Sequence, residues 1–159
     1  MDPAVTSRRA QIADAVAAVR GRIAAACSDV GRAADEVTLT VVTKFFPSSD
    51  IRILAELGVR DVGENRHQEA EVKAAETADL DLRWHFVGNL QSNKAAAVAS
   101  YAAVVESVDR AKLLRGLTRG ALERGRQLDC LFQVNLDLAA AGAAPGRGPD
   151  RASRSSARG

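Results

Sequence analysis

Lys44 combines a reactive side chain with a position suited to chemistry. It follows an apolar, β-branched run, Val37 to Thr43, and precedes a proline turn at Pro47. If the run is a strand of a barrel or an α/β sheet, Lys44 lies on the rim where such folds carry their active sites. A lysine with apolar neighbours can lose its proton readily and attack a carbonyl carbon as a Schiff-base nucleophile. The alternative is a solvated lysine that ends a strand.

Polar side chains also follow the other predicted strands. Because the carboxyl ends of parallel strands meet at one edge, we expect these side chains to surround Lys44. They are Glu64 and Asn65 after the second strand, Asn89 after the third, Ser107 and Asp109 after the fourth, and Asn135 after the fifth. Asn65 has the alternative of satisfying backbone groups in a turn, and Glu64 that of capping the next helix. The set contains no Ser-His-Asp triad and no paired carboxylates at an obvious spacing.

His85 lies inside the predicted third strand. Strand alternation places His85 and Val87 on one face, and Trp84 and Phe86 on the other. A lone strand histidine is more often a hydrogen-bonded core residue than a ligand, although inside a barrel it would face the lumen. The two histidines and two cysteines of the chain show no metal-ligand spacing.

Strands and amphipathic helices alternate along the chain, which predicts βαβ units and a parallel sheet. The predicted strands are 37–43, 59–62, 82–87, 103–107 and 128–135, with a long helix over 5–30 before the first. Helices are predicted from Pro47 to Gly58, over 66–78 and 91–101, and from caps at Ser107 and Asp109 to Gly125. An open five-stranded sheet and an incomplete (β/α) TIM-type barrel both fit this pattern.

Composition is typical of a globular protein, with 47% hydrophobic and 26% charged residues. A net charge of +2 is too small to predict a nucleic-acid or membrane surface. Neither G-x-G-x-x-G nor G-x-x-x-x-G-K-[ST] occurs, so those routes to nucleotide binding are unsupported. The absence of a signal-like or membrane-spanning stretch, and two cysteines in apolar contexts, predict a cytoplasmic protein with reduced thiols.

The pattern changes after Asp137. Residues 138–159 are mostly Ala, Gly, Pro, Arg and Ser without apolar periodicity, which predicts a disordered tail after a domain over 1–137. Most of these residue types have G/C-rich codons. Our hypothesis is a frameshift near codon 137, which the other reading frames of the encoding DNA would test.

Several sequence blocks together resemble the pyridoxal phosphate homeostasis family, relatives of the N-terminal barrel domain of alanine racemase. The resemblance covers about residues 10–137. The most specific block is Trp84-His85-Phe86-Val87-Gly88-x-Leu90-Gln91-Ser92-Asn93-Lys94. The others are Val41-Val42-Thr43-Lys44-x-x-Pro47, Gly63-Glu64-Asn65-Arg66-x-Gln68-Glu69-Ala70, Ser107-Val108-Asp109 and Gln133-Val134-Asn135.

The resemblance implies a fold-type III barrel that carries pyridoxal 5′-phosphate (PLP) as a Schiff base on Lys44. Asn65 and His85 match family positions near the cofactor ring. The family has no firmly assigned catalytic reaction and is thought to buffer intracellular PLP (vitamin B6), with PLP-dependent apoenzymes as recipients. The resemblance therefore implies a homeostasis protein rather than an enzyme.

Two alternatives stay open, and the chain departs from the family pattern at several points. Phe46 replaces a usual second lysine, Asn89 replaces a frequent histidine, and relatives continue for about half as much chain again to complete the barrel. The first alternative is a racemase-like enzyme. The second is a frameshifted product without function, because five strands of a barrel leave two edges with unpaired backbone groups.

Overall fold

The computed structural model describes residues 3–134 and residue 136. Asn135, the predicted boundary at residue 137 and the predicted tail over 138–159 lie outside the described residues and stay predictions. No helix within the described range is long and apolar enough to cross a membrane.

Helices and strands alternate through the described chain, as the periodicity predicts. The strands are β1 (Thr40–Val42), β2 (Asp61–Glu64), β3 (Arg83–Phe86), β4 (Val104–Val108) and β5 (Asp129–Phe132). The helices are α1 (Pro3–Asp29), α2 (Ser48–Glu56), α3 (His67–Glu76), α4 (Ala95–Ala99) and α5 (Lys112–Arg124), and a 3₁₀ turn spans Ala34–Glu36.

The five strands form one parallel sheet in the order β1-β2-β3-β4-β5. Each strand pairs with the next one along the chain, and a helix connects them. A doubly wound open sheet would reverse its strand order at a switch point, whereas a (β/α) barrel does not. The order therefore favours the partial barrel over the open sheet, and the predicted fold class is confirmed.

Most side chains on the helix-covered face of the sheet are apolar. Val62 and Trp84 pack with α1 and α2 in one cluster, and Phe86 and Val105 pack with α4 and α5 in another. Leu113 and Leu117 of α5 are almost completely buried in the second cluster. Truncation of either leucine to alanine is expected to reduce stability by about 2–5 kcal/mol, because a cavity would remain.

The opposite face of the sheet corresponds to the inside of a barrel and is largely polar. Register pairs Thr40 with Asp61 and Asp61 with Arg83, and pairing residues of parallel strands share a face. His85 lies on this face beside Gly63, as alternation predicts.

Several predicted boundaries and caps were wrong. The chain over 37–39 pairs with no described strand, and β2 runs two residues later than predicted because Gly63 pairs with Val42. Helix α4 starts at Ala95 because residues 92–94 form a turn. Among the described residues no side chain caps α5, whose N-cap is Ala111, while Gly125 ends that helix in a left-handed conformation as expected.

Candidate functional site

Lys44 directly follows β1 and is exposed to solvent. The backbone N–H of Thr43 donates to the Gly63 carbonyl oxygen at 2.9 Å, so sheet pairing continues to the residue before Lys44. The Lys44 Nζ atom lies 5.9 Å from the centre of the Phe45 ring. Within the described part of the chain, no ion pair includes Lys44. Its amine is therefore accessible and not engaged by a carboxylate.

Lys44 and Phe45 are the two central residues of a tight turn. The Phe46 N–H donates to the Thr43 carbonyl oxygen at 3.0 Å, which closes the turn. Phe45 has a φ of 69°, a left-handed conformation that is unfavourable for a residue with a large side chain. The residue is 67% exposed, and its ring lies near Lys44 and Arg66. Contacts of the backbone, rather than burial of the ring, must hold this conformation.

A buried network on the helix side provides such contacts. Lys73 of α3 donates to the Thr43 carbonyl oxygen at 2.9 Å, to Glu64 Oε1 at 2.7 Å and to Glu69 Oε1 at 2.6 Å. Glu69 Oε1 also accepts the Phe45 N–H at 2.8 Å. Glu64 Oε1 accepts the Thr43 hydroxyl at 2.8 Å. The network joins α3, the end of β2 and the turn that contains Lys44.

Burial makes the charges of this network strongly dependent on one another. Lys73 is 6% exposed and Glu64 is fully buried, so each needs the other as a partner. The hydrogen bond from Lys73 lowers the pKa of Glu69, and the Phe45 N–H and the charge of Arg66 lower it further, against an opposing effect of desolvation. Glu64 is thus a buried partner of Lys73, and the predicted alternative of a helix cap is wrong.

Asn65 follows β2 at the level that Lys44 occupies after β1, since Val42 and Gly63 are paired two residues earlier. Its Oδ1 atom is buried and has no hydrogen-bond partner among the described residues. Gly88, after β3, packs against the backbone of Asn65, and a Cβ atom at Gly88 would lie 2.1 Å from the Asn65 carbonyl oxygen. The position of Asn65 is therefore fixed by a contact that only glycine allows.

His85 lies lower on the inner face, level with Val42 rather than with Lys44. Its Nδ1 atom is 2.7 Å from Glu106 Oε1 and its Nε2 atom is 2.9 Å from Asp61 Oδ1. The ring thus bridges a carboxylate of β2 and a carboxylate of β4. The structure brings Lys44 and Asn65 to one rim and places His85 about two residues, roughly 7 Å, below them.

A cavity of about 560 Å³ opens on this rim beside Asn65. Much of the Asn89 to Lys94 block lines it, together with Arg66 and Arg110. Arg110 is held by the Asp109 carboxylate at 2.7 and 2.8 Å and by the Leu90 carbonyl oxygen at 2.8 Å. Asp109, predicted to cap α5, thus orients an arginine at the cavity instead.

Lys73 and Glu69 are residues that sequence reasoning missed. Their spacing of four on a helix was the available signal, because such pairs contact each other. The same spacing is usual on solvated helix faces, and nothing in it indicates that the pair lies under the turn of Lys44.

The fold and the rim together define a class of protein: a (β/α) barrel-type sheet with an accessible lysine after its first strand. No family model matches the chain. It is 40% identical to the pyridoxal phosphate homeostasis protein of Mycobacterium tuberculosis (strain H37Rv), over 84% of this chain and 58% of that protein. It is 45% identical to the protein of the same name from Corynebacterium glutamicum, over 75% of this chain and 56% of that protein. Over most of its length the chain is therefore a homologue of the pyridoxal phosphate homeostasis proteins.

Solved structures agree with this assignment. PipY of Synechococcus elongatus, solved with PLP bound, is 39% identical and superposes with a TM-score of 0.66, over 79% of this chain and 55% of that chain. A protein of unknown function from Bifidobacterium adolescentis is 34% identical, with a TM-score of 0.69 over 82% of this chain and 56% of that one. The chain therefore spans just over half the length of the relatives it matches.

Proposed function

We propose that this chain binds PLP through Lys44 and serves the intracellular homeostasis of PLP. The observation that carries the proposal is the exposed Lys44 amine, free of any carboxylate in the described residues, on a turn fixed at the end of β1. The Lys44 nitrogen would add to the aldehyde carbon of PLP, forming a C=N bond and releasing the aldehyde oxygen as water. PLP supplies a reactive aldehyde and an electron-withdrawing ring.

The residues near Lys44 fit such a group. The buried Oδ1 atom of Asn65 lacks a partner among the described residues, and a hydroxyl or N–H of the cofactor ring would satisfy it. Both nitrogens of His85 already face Asp61 and Glu106, so His85 would meet the cofactor with its ring face rather than through a nitrogen. Arg66, Lys94 and Arg110 at the adjoining cavity favour an acidic ligand.

The homeostasis role is a proposal taken from the relatives, which are named for it. In this role the chain would hold PLP reversibly in the cytoplasm and release it to PLP-dependent apoenzymes, without a reaction of its own. A reversible covalent bond to one lysine suits a carrier, because water or another amine can displace the cofactor by the reverse of the binding step.

Absorbance spectroscopy with PLP tests the proposal. We expect a visible band of the lysine–cofactor linkage on addition of PLP, and borohydride reduction followed by peptide mass spectrometry should locate it on Lys44. Lys44→Ala should abolish the band, whereas Lys112→Ala, which removes another exposed lysine, should leave it unchanged. A band that persists in Lys44→Ala, or a label on a different lysine, would refute the assignment. Circular dichroism should show equal folding of both variants.

A further inference from the structure

Two side chains of α3 contact the backbone on either side of Lys44. Lys73 donates to the carbonyl of Thr43, the residue before Lys44, at 2.9 Å. Glu69 accepts the N–H of Phe45, the residue after Lys44, at 2.8 Å. Lys73 and Glu69 are also bonded to each other at 2.6 Å. The pair therefore contacts both peptide groups that flank Lys44.

This contact explains how the turn keeps a strained residue. Phe45 at a φ of 69° is unfavourable, and strained residues persist only where surrounding groups hold them. Without the bond to Glu69, the Phe45 N–H would lose its only partner among the described residues, and the turn would be free to relax to another conformation. A relaxed turn would point the Lys44 side chain elsewhere.

The pair is itself anchored beneath the sheet. Lys73 donates to Glu64 at 2.7 Å, and Glu64 is fully buried at the end of β2. Glu64 also accepts the hydroxyl of Thr43, so β1, β2 and α3 meet at one carboxylate. Because these groups are buried, their positions are set by the packed core rather than by solvent.

We propose that Glu69 and Lys73 are positioning residues that hold the Thr43–Phe46 turn in the one conformation that presents the Lys44 amine on the rim. The inference rests on the proposed function for its cofactor, since PLP is the group to which Lys44 is presented. It does not require either residue to touch the cofactor.

Glu69 variants test this with the least damage to the core, because Glu69 is partly exposed while Lys73 and Glu64 are buried. We expect Glu69→Ala to raise the Kd for PLP about tenfold, the lower end of what removal of an orienting hydrogen-bond partner costs at metal sites. Glu69→Gln keeps an acceptor for the Phe45 N–H and should recover most of the loss. Arg52→Ala, which breaks an exposed pair with Asp79, is the matched control and should change the Kd less than about twofold.

Phe45→Gly separates positioning from general stability, because glycine adopts a positive φ without strain. If Glu69 acts by holding Phe45 in this conformation, then Glu69→Ala should weaken PLP binding several-fold less in a Phe45→Gly background than in the natural chain. The NMR resonance of the residue 45 amide gives a second readout, since it should shift in Glu69→Ala and much less in Glu69→Gln. A purely structural role predicts the same loss in both backgrounds.

The two proposals fail in different ways. If the natural chain gives no PLP band, the proposed function fails. The conformation of the turn is then measured from the NMR resonance of the residue 45 amide and from the rate at which formaldehyde and borohydride label Lys44. If the band forms and depends on Lys44, but Glu69→Ala binds PLP as the natural chain does with an unmoved amide resonance, the positioning inference is overturned.

Discussion

Two lysines lie at the end of β1, and they differ in solvent exposure and in hydrogen-bond partners. Lys44 is exposed, its amine lies near the Phe45 ring, and it forms no ion pair with the residues that the structure describes. Lys73 is 6% exposed and donates three hydrogen bonds, two of them to carboxylates. An amine that is free of partners is available for chemistry, whereas one with all its protons engaged serves as a structural cation. The comparison teaches that burial and partners, rather than residue type, assign the two roles.

The largest expected effect is on stability, and it should separate the two lysines. Lys73→Met leaves Glu64 buried without its cation, and we expect a loss of about 3–5 kcal/mol in the free energy of unfolding. Lys44→Met should change that free energy by less than about 0.5 kcal/mol, because Lys44 is exposed and has no ion-pair partner in the described part of the chain. Urea denaturation followed by circular dichroism measures both. Equal losses in the two variants would mean that the difference in burial has no energetic consequence.

A smaller effect is expected in the pH dependence of stability, which measures the interaction of Lys73 with Glu69. The pKa of Glu69 in the folded chain is lowered, first by Lys73. Its stabilising contribution is therefore fully present above the ordinary glutamate value of about 4.3 and is lost as the pH falls through the lowered pKa. Because solvent partly screens Glu69, we expect a contribution below about 1 kcal/mol.

Urea midpoints of the natural chain and Glu69→Gln, measured between pH 3 and 7, test this contribution. The two midpoints should differ at neutral pH and converge at the acid end. A difference that grows as the pH falls would contradict the assigned direction. Asp79→Asn, which removes a carboxylate from an exposed pair with Arg52, serves as the control for loss of a surface charge.

The smallest expected effect concerns the two phenylalanines beside Lys44. Phe45→Gly removes an unfavourable left-handed side chain but frees the unfolded backbone, so the two contributions nearly cancel and stability should change by less than about 1 kcal/mol. Phe46 has no positive φ, and its ring lies 5.4 Å from the Arg8 guanidinium. Phe46→Gly should therefore destabilise more than Phe45→Gly in thermal melting. The reverse order would show that the Phe45 ring, rather than its backbone, matters for the turn.

Local patterns in the sequence predicted much of this molecule. The β-branched run and proline turn placed Lys44 after a strand, and period-two alternation placed His85 on the face opposite Trp84. These features depend on neighbours within a few residues. Strand ends were less accurate, because they depend on which residues of adjacent strands pair, as Gly63 does with Val42.

Local sequence patterns could not predict contacts between residues that are distant in the sequence. The partners of His85 are Asp61 and Glu106, which lie 24 and 21 residues away and reach it only through the strand register. Lys73 looks like an ordinary helix lysine until α3 is packed against the sheet. The choice between an open sheet and a partial barrel likewise needed the strand order.

The contact between Gly88 and Asn65 also has an evolutionary consequence. Since a single methyl group at position 88 would collide with the Asn65 carbonyl, this position accepts no other residue without movement of the rim. Any substitution of Gly88 would displace the backbone of Asn65, even if residue 88 itself makes no contact with a ligand. A substitution that abolishes function can therefore occur at a residue such as Gly88, which contacts a binding residue but is not identified by its own contacts with a ligand.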